Sequence, residues 1–275
     1  MSVTVVLQAY GSDTIINQNI YCLLSFLRHS DVETKNKTPG QGVRVVIYTD
    51  QPERFRKFFD IEQARDHIQY EDLSPARVKE WRGSINFVHR VKVEMLRDAA
   101  KKFAGTRIFY VDGDTVFLRD PSPLFAFIDN RNSVMHELEN IVDLGSDPIS
   151  KKLTRFLQKE WRPNEASQRG LNSGAAMWNA GVLGFSPQFT PHLDEVLRLT
   201  ESLYSAYPKH IMEQLAFSYY LRTHTRIHDA REFILHYWRD KDVYNERIAR
   251  FLSTHATASD ALSNYQVDVT LAVTS

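Results

Sequence analysis

The chain has 275 residues, enough to bury a sizeable core in one large domain or two small ones. Its 34 Lys and Arg residues equal its 34 Asp and Glu residues, so the bulk charge argues against a nucleic acid or an anionic membrane as partner. The single cysteine, Cys22, excludes an intrachain disulfide. We expect a cytoplasmic protein with no integral membrane segment, either free or peripheral at a membrane.

Strand and helix patterns alternate through the first half of the chain. Residues 31–42 are polar and predict a loop. The elements predicted from apolar runs and helical spacing are strands at 3–9, 43–49, 67–70 and 108–111 and helices at 14–29, 52–66 and 86–103. This order is typical of an α/β fold with a mainly parallel, Rossmann-like sheet flanked by helices.

Two aspartates stand where one of these strands ends. The run 108–111 is large and apolar, as in a strand buried on both faces, and Asp112, Gly113 and Asp114 follow it directly. Ligands of open α/β sheets bind at the carboxyl ends of the strands. We therefore expect Asp112 and Asp114 to hold a divalent metal that carries a diphosphate.

Two earlier strands also end in residues that suit a nucleotide. The ring of Tyr10 could stack on a base, and a packing role in a tight turn fits equally well. Asp50 could accept hydrogen bonds from a base or a ribose, although an ordinary turn residue before Pro52 is the slightly favoured interpretation.

Cations that could meet a diphosphate are scattered along the chain. Arg90 and Lys92 lie on the helix before the aspartates, and a βαβ connection could bring the start of that helix to the carboxyl edge of the sheet. A solvated helix face is the commoner use of such residues. The polar, irregular segment 129–170 is a solvated surface, an anion patch, or a lid or acceptor platform.

Polar residues that could contact a sugar occur in the second half. Gly181 interrupts a strand-like run at 171–187, which indicates a backbone that something approaches closely. Asn179 in the same run needs hydrogen-bond partners if it is buried, and sugar hydroxyls or backbone groups could serve. After a helix at 190–206, a helix at 209–222 carries Glu213 and Gln214 near its start; His236, in an aromatic strand pattern, is on its own a packed core histidine.

In this order, the pieces resemble the metal-dependent, nucleotide-sugar-using glycosyltransferases of GT-A fold, especially the retaining group that includes glycogenin and bacterial lipopolysaccharide galactosyl- and glucosyltransferases. The matching order covers nearly the whole chain. It comprises a first βα unit, Ile-Tyr-Thr-Asp50, a helix carrying Arg90, Tyr-Val-Asp112-Gly-Asp114-Thr, Asn179-Ala-Gly-Val-Leu-Gly-Phe185, Glu213-Gln214 and His236-Tyr-Trp-Arg-Asp-Lys241. The resemblance implies one catalytic domain over 1–255, with a nucleotide-binding half at about 1–120 and an acceptor half at about 121–255, and a tail at 256–275.

The resemblance also implies a site for a UDP-sugar donor, a metal and an acceptor, which could be a glycan, a lipid-linked sugar or a protein. Asp112 would contact ribose and metal, Asp114 would ligate the metal, and His236 would be the third ligand of Mn²⁺, or of Mg²⁺ as the second choice. The remaining implied assignments are Ala9, Tyr10 and Asp50 for uracil and ribose, Gly113 for the nucleotide, Arg90, Arg239 and Lys241 for the phosphates, and Asn179 and Gly181 for the donor sugar or acceptor.

The chain departs from the family pattern at two places. The family usually has Asp-Gln where this chain has Glu213 and Gln214, and the extra methylene moves the group beneath the anomeric carbon by roughly an ångström. Near His236, Arg239 stands close to the place of a family glycine and Lys241 comes one residue early. The phosphate clamp is therefore Arg239, Lys241 or both.

Retention of anomeric configuration allows two reaction routes. Same-face attack guided by the leaving phosphate is favoured over a covalent intermediate on Glu213, since no second carboxylate pairs with it in the sequence.

A haloacid-dehalogenase-type phosphatase shares the Asp112 motif, but its later lysine and paired aspartates are missing. A sugar nucleotidyltransferase would need a glycine-rich loop after the first strand, and a catalytically silent nucleotide-sugar-binding protein is the remaining alternative.

Overall fold

The computed structural model describes residues 1–30, 42–61, 67–141, 148–162, 171 and 175–265, with the side chains of 148 and 149 excepted. The chain divides into two compact units. The first comprises Met1–Arg77, Phe109–Ala126 and Arg231–Ser275, and the second comprises Val78–Ile108 and Phe127–Ala230. The predicted α/β class is confirmed, because a seven-stranded, mostly parallel sheet is flanked by helices.

The strands follow the chain as a main sheet and two antiparallel ribbons. They are β1 Val3–Ala9, β2 Val43–Thr49, β3 Ile68–Asp72, β4 Arg107–Val111, β5 Thr115–Phe117, β6 Asn132–Met135, β7 Leu138–Ile141, β8 Ala176–Trp178, β9 Val182–Phe185, β10 Arg226–Asp229 and β11 Ile234–His236. The sheet order is β10-β6-β9-β4-β1-β2-β3. β1 pairs parallel to β2, β2 to β3 and β10 to β6, whereas β6 and β9 are antiparallel. The ribbons are β5 with β11 and β7 with β8.

Helices connect these strands. They are α1 Asp13–His29, α2 Pro52–Phe58, α3 Pro75–Arg82, α4 Arg90–Lys102, α5 Ser122–Phe127, α6 Pro148–Arg155, α7 Leu193–Ala206, α8 Met212–His224, α9 Lys241–Thr254 and α10 Ala258–Ser263. Shorter helical segments are the π-helical Phe156–Glu160 and the 3₁₀ helices Pro187–His192 and Trp238–Asp240. Among the helices of the described ranges, none is long and apolar enough to cross a membrane.

The predicted boundaries hold at the amino terminus and shift further on. Ser12 caps α1 by accepting a hydrogen bond from the Ile15 backbone N–H, and β1 and β2 have the predicted limits. The predicted helix at 52–66 is wrong beyond Phe58, because Phe59 leaves the helical conformation at φ −85° and ψ 76°. Residues 62–66 of that prediction lie outside the described residues.

Further along the chain, the structure differs from the prediction at two helices and in the segment 129–170. The helix predicted at 86–103 begins at Arg90, because Asn86 has φ 50° and cannot continue an α-helix. α3 precedes it and was not predicted. The segment 129–170, expected to be irregular, contains β6, β7 and α6; residues 142–147 and 163–170, like 31–41 of the predicted loop, lie outside the described residues.

In the first unit, α1 packs against the β5–β11 ribbon and α9. A buried cluster of Tyr21, Val116, Tyr237, Tyr244 and Ile248 joins these elements. Each element supplies aromatic or β-branched surface, so α1, α9 and the ribbon share one buried cluster. The ribbon carries the residues that follow the predicted metal-binding aspartates.

Ser25 fastens the ribbon to α1. Its hydroxyl donates to the Cys22 carbonyl oxygen at 2.6 Å and accepts from the Phe117 backbone N–H at 3.0 Å. The Phe26 and Phe117 rings meet edge to face beside this bond, with centroids 5.1 Å apart. A buried backbone N–H of β5 therefore depends on one serine.

We expect Ser25→Ala to lower the free energy of unfolding by ~1–3 kcal/mol, because it leaves the buried Phe117 N–H without its partner. Urea unfolding followed by circular dichroism measures the change. Ser253→Ala, which removes an exposed helix hydroxyl bonded to the Arg250 carbonyl oxygen, is the matched control and should change it by less than about 0.5 kcal/mol. Equal effects of the two substitutions would contradict the role of Ser25.

Candidate functional site

The Asp112-Gly113-Asp114 turn lies at the carboxyl end of β4, in the first unit. Val111 is fully buried, and Thr115 begins β5 immediately after the turn. The Thr115 hydroxyl donates to the Asp112 carbonyl oxygen at 2.7 Å and lies 3.2 Å from the Cys22 sulfur. These contacts hold the turn against α1, so both carboxylates leave the strand end in a defined geometry.

Strand pairing brings His236 to this turn. His236 pairs with Thr115 in the β5–β11 ribbon, and the Tyr237 backbone N–H donates to the Asp114 carbonyl oxygen at 3.2 Å. The His236 Nε2 atom lies 3.4 Å from Asp114 Oδ1 and 3.9 Å from Asp112 Oδ2. The structure thus brings together the three residues for which the resemblance implied metal ligation, with one ligand atom of each within 4.8 Å of the others.

Neighbouring charge in this cluster favours the ionised form of Asp114. Burial by itself would raise the pKa of Asp114, but the imidazole of His236 and the ammonium of Lys241 outweigh it and lower that pKa well below its usual range. The Lys241 Nζ atom lies 2.9 Å from Asp114 Oδ2, and the Tyr110 hydroxyl donates to Asp112 Oδ1. Two carboxylates and one imidazole form a donor set that suits a divalent cation.

The residues predicted for the nucleoside lie at the ends of β1 and β2, also in the first unit. Asp50 accepts hydrogen bonds from the Gly11 backbone N–H at 3.2 and 3.3 Å, and the Gln51 side-chain amide donates to the Gly11 carbonyl oxygen. Gly11 has φ 90°, a conformation that favours glycine. Asp50 therefore fixes the turn that follows Ala9 and Tyr10, and Tyr10 itself is half-buried.

The predicted phosphate cations have different surroundings. Arg90, in the second unit, contacts Glu94 at 2.9 Å and Glu201 at 2.7 Å and donates to the Trp81 carbonyl oxygen. In the first unit, the Arg239 guanidinium lies over the Trp238 ring at 4.9 Å, whereas Lys241 contacts Asp114. Carboxylates already compensate the charge of Arg90.

In the second unit, a buried ion pair involves Glu213. The Lys92 Nζ atom lies 2.9 Å from Glu213 Oε1 and donates to the Ala180 carbonyl oxygen at 3.2 Å. The two atoms are close, but their relative orientation does not form a good hydrogen bond at Glu213 Oε1. Both side chains are almost fully buried, which is costly for charged groups unless they are paired. Sequence reasoning gave Lys92 little weight, because its partner is far along the chain.

Near this pair, the exposed carboxylate of Glu139 accepts hydrogen bonds from two side-chain amides. Its Oε1 atom accepts from the Asn179 side-chain amide and its Oε2 atom from that of Gln214, both at 2.8 Å. The same two side chains also accept from backbone N–H groups, Asn179 from Gly181 and Gln214 from Ala180. Sequence reasoning did not find Glu139, because only the pairing of β7 with β8 places it beside Asn179.

Comparisons with known proteins identify the fold. Comparison with protein-family models finds no match, and neither does comparison with curated proteins. Among solved structures the chain has the fold of GT-A glycosyltransferases, which confirms the predicted fold.

Two solved structures illustrate this similarity. One is mouse xyloside xylosyltransferase 1 in its apo form, at 12% identity and TM-score 0.53, covering 83% of this chain and 85% of that one. The other is the galactosyltransferase LgtC in complex with donor and acceptor sugar analogues, at 12% identity and TM-score 0.52, covering 83% of this chain and 74% of that one. At such identities the similarity establishes the fold.

Gly113 lies directly against the side chain of Asn19. A Cβ atom there would lie 2.3 Å from Asn19 Nδ2, and Asn19 is fully buried with this amide donating to the Ile15 carbonyl oxygen. We expect Gly113→Ala to displace the turn and to lower the free energy of unfolding by ~1–3 kcal/mol.

A double-mutant cycle separates this contact from other effects. Asn19→Ala provides the space for the added methyl group, so the double variant should be more stable than the sum of the two single changes by about 0.5–3 kcal/mol. Urea unfolding of the wild type, the two single variants and the double variant measures these stabilities. Strict additivity would show that Asn19 does not restrict Gly113.

Proposed function

We propose that this chain is a metal-dependent hexosyltransferase that moves a hexose from a UDP-sugar to an acceptor hydroxyl with retention of anomeric configuration. The observation that carries the proposal is the cluster of Asp112, Asp114 and His236 at the carboxyl end of a strand in a GT-A fold. Ligands of open α/β sheets bind at this edge.

The cluster fits a divalent ion by the chemistry of its donors. Asp112, Asp114 and His236 would hold Mn²⁺ in preference to Mg²⁺, because imidazole is a softer ligand than oxygen. The ion would act as a Lewis acid that neutralises charge on the departing UDP. Lys241 is the phosphate cation that we favour, because its ammonium is already at Asp114 while Arg90 is occupied by Glu94 and Glu201.

The nucleoside is assigned to the turn after β1. Asp50 fixes the Gly11 backbone and so holds Tyr10 where its half-buried ring can stack on uracil. The carboxylate of Asp50 retains acceptor capacity for a ribose hydroxyl. Gly113 would border the nucleotide through its backbone, and Ala9, which is fully buried, would support the turn that carries Tyr10.

Sugar or acceptor hydroxyls are assigned to the polar cluster of the second unit. Asn179 and Gln214 donate to Glu139, whose exposed carboxylate can also accept hydrogen bonds from hydroxyl groups, and Gly181 donates to Asn179. Glu213 is buried and paired with Lys92. A carboxylate in that setting suits a positioning role better than nucleophilic attack, so we favour same-face attack guided by the leaving phosphate.

We expect Asp114→Asn to abolish Mn²⁺-dependent binding of UDP, and His236→Ala to weaken Mn²⁺ affinity by at least about tenfold, because each removes one ligand. Isothermal titration calorimetry with and without Mn²⁺ measures both effects, and circular dichroism checks the fold. Glu246→Gln, which removes an exposed carboxylate paired with Arg250, is the control and should bind normally. Wild-type binding by Asp114→Asn would remove the cluster from the site.

The reaction class is tested with the wild-type chain. A hexosyltransferase should release UDP slowly from one of a panel of UDP-sugars in Mn²⁺ without acceptor. Phosphate release from simple phosphate esters without any sugar nucleotide would favour the phosphatase alternative instead. Mn²⁺-dependent UDP-sugar binding without UDP release, and without transfer to any of a panel of saccharide acceptors, would indicate a silent binding protein.

We expect Glu213→Gln to lower kcat by about 10- to 100-fold while leaving donor affinity within about twofold, because a positioning group acts mainly in the transition state. Single-turnover kinetics with the active UDP-sugar gives both values. A loss above about 10⁴-fold, together with a trapped glycosyl-enzyme in mass spectrometry of the wild type, would support the covalent route.

This substitution needs a control for the charge that it leaves behind. Glu213→Gln leaves the Lys92 ammonium buried without its carboxylate, which costs about 3–5 kcal/mol in comparable pairs. Combining it with Lys92→Met removes that charge. If stability returns and turnover stays low, the kinetic effect belongs to Glu213 and not to local unfolding.

A further inference from the structure

A second group of metal-ligating side chains lies within the second unit. It consists of His192, Glu195 and His224, none of which is assigned to the proposed transferase chemistry. One ligand atom of each lies within 4.8 Å of the others. The group depends on helix packing rather than on strand ends.

Three helical segments supply these residues. His192 ends the 3₁₀ helix before α7, Glu195 lies in the first turn of α7, and His224 is the last residue of α8. Because α7 packs along α8, the start of one helix meets the end of the other. His192 and Glu195 are also three residues apart, which places them on one helix face.

The geometry already gathers the donors. The His192 Nδ1 atom lies 2.6 Å from Glu195 Oε2, and the two imidazole rings stack with centroids 3.7 Å apart. Phe189 borders both rings on the protein side, with centroids 5.5 Å from His192 and 6.4 Å from His224. His224 is exposed, so an ion can enter from solvent and water can complete its coordination.

The donor chemistry selects one class of ion. Two imidazoles and one carboxylate form a three-ligand set typical of Zn²⁺ with an open position for water. A second imidazole makes this set softer than the Asp112, Asp114 and His236 cluster, so Mg²⁺ and Mn²⁺ suit it less well. With Zn–N distances of about 2.0–2.1 Å, tetrahedral ligands are roughly 3.4 Å apart. The rings of His192 and His224 are nearly parallel, at 21°, so the exposed His224 side chain would rotate out of the stack to point a nitrogen at the ion.

We propose that His192, Glu195 and His224 form a Zn²⁺ site that ties the start of α7 to the end of α8. The ion would cross-link two packed helices and stabilise the native state, because it binds the folded chain in preference to the unfolded one. α8 carries Glu213 and Gln214 at its other end, so the site would also steady the helix that presents them. The proposal does not depend on the transferase assignment.

The test is a Zn²⁺ titration of the full, tag-free chain in excess Mg²⁺, which is added to compete for the carboxylate-rich cluster of Asp112, Asp114 and His236. The wild type should bind Zn²⁺ with a rise in Tm. His224→Ala and Glu195→Gln should each lower Zn²⁺ affinity by at least about tenfold, or ~1.4 kcal/mol. His67→Ala, which removes an exposed histidine elsewhere, is the matched control and should leave affinity unchanged.

Cobalt provides a readout that a merely structural role would not change. Co²⁺ bound by the wild type should give the visible absorption of a four-coordinate ion, and His192→Ala should lose it while keeping the native circular dichroism spectrum. Equal Zn²⁺ affinity in the wild type, His224→Ala and His192→Ala would overturn the proposal. An equal loss in His67→Ala would overturn it as well, since binding would then be nonspecific.

Discussion

A carboxylate removed from water needs compensating charge, and the cluster of Asp112, Asp114 and His236 is built around that requirement at Asp114. Its partners, His236 and Lys241, come from the far end of the sequence. The antiparallel pairing of β5 with β11 brings them there, because His236 lies opposite Thr115, the residue that follows Asp114. Without that pairing the aspartates would be an ordinary acidic turn.

The surroundings of the turn explain how such pairing persists. Tyr21, Val116 and Tyr237 pack behind the ribbon, and Ser25 satisfies a β5 backbone N–H from α1. Donors that are fixed before a ligand binds lose little freedom when it arrives, so fixed side chains here would favour the proposed binding of a metal and a diphosphate. The rigid packing and the proposed chemistry thus have the same structural basis.

In the second unit, a lysine compensates the charge of a buried carboxylate. Glu213 is buried with Lys92, a pairing that continuum arguments and mutagenesis on other proteins rate as weakly stabilising at best. Replacement by apolar residues is at least as stable in many proteins, so stability alone does not account for the pair. Next to it, Asn179 and Gln214 leave Glu139 exposed but fixed in direction, as recognition of hydroxyl groups requires.

The sequence alone determined the features that depend on neighbouring residues. Apolar runs located β1, β2 and β4, helical spacing located α1 to within one residue of its start, and the resemblance gave the fold that the solved structures confirm. It also selected Asp112 and Asp114, because acidic residues directly after a buried strand lie at the binding edge of such sheets.

Only the tertiary structure decided which distant residues meet. It joined His236 and Lys241 to Asp114, Lys92 to Glu213, and Glu139 to Asn179, through strand register and helix packing that no local pattern specifies. It also ended α2 at Phe58 and started α4 at Arg90, where backbone conformation overrides helical spacing. Residue types limit the chemistry that is available, and long-range packing determines which of them act together.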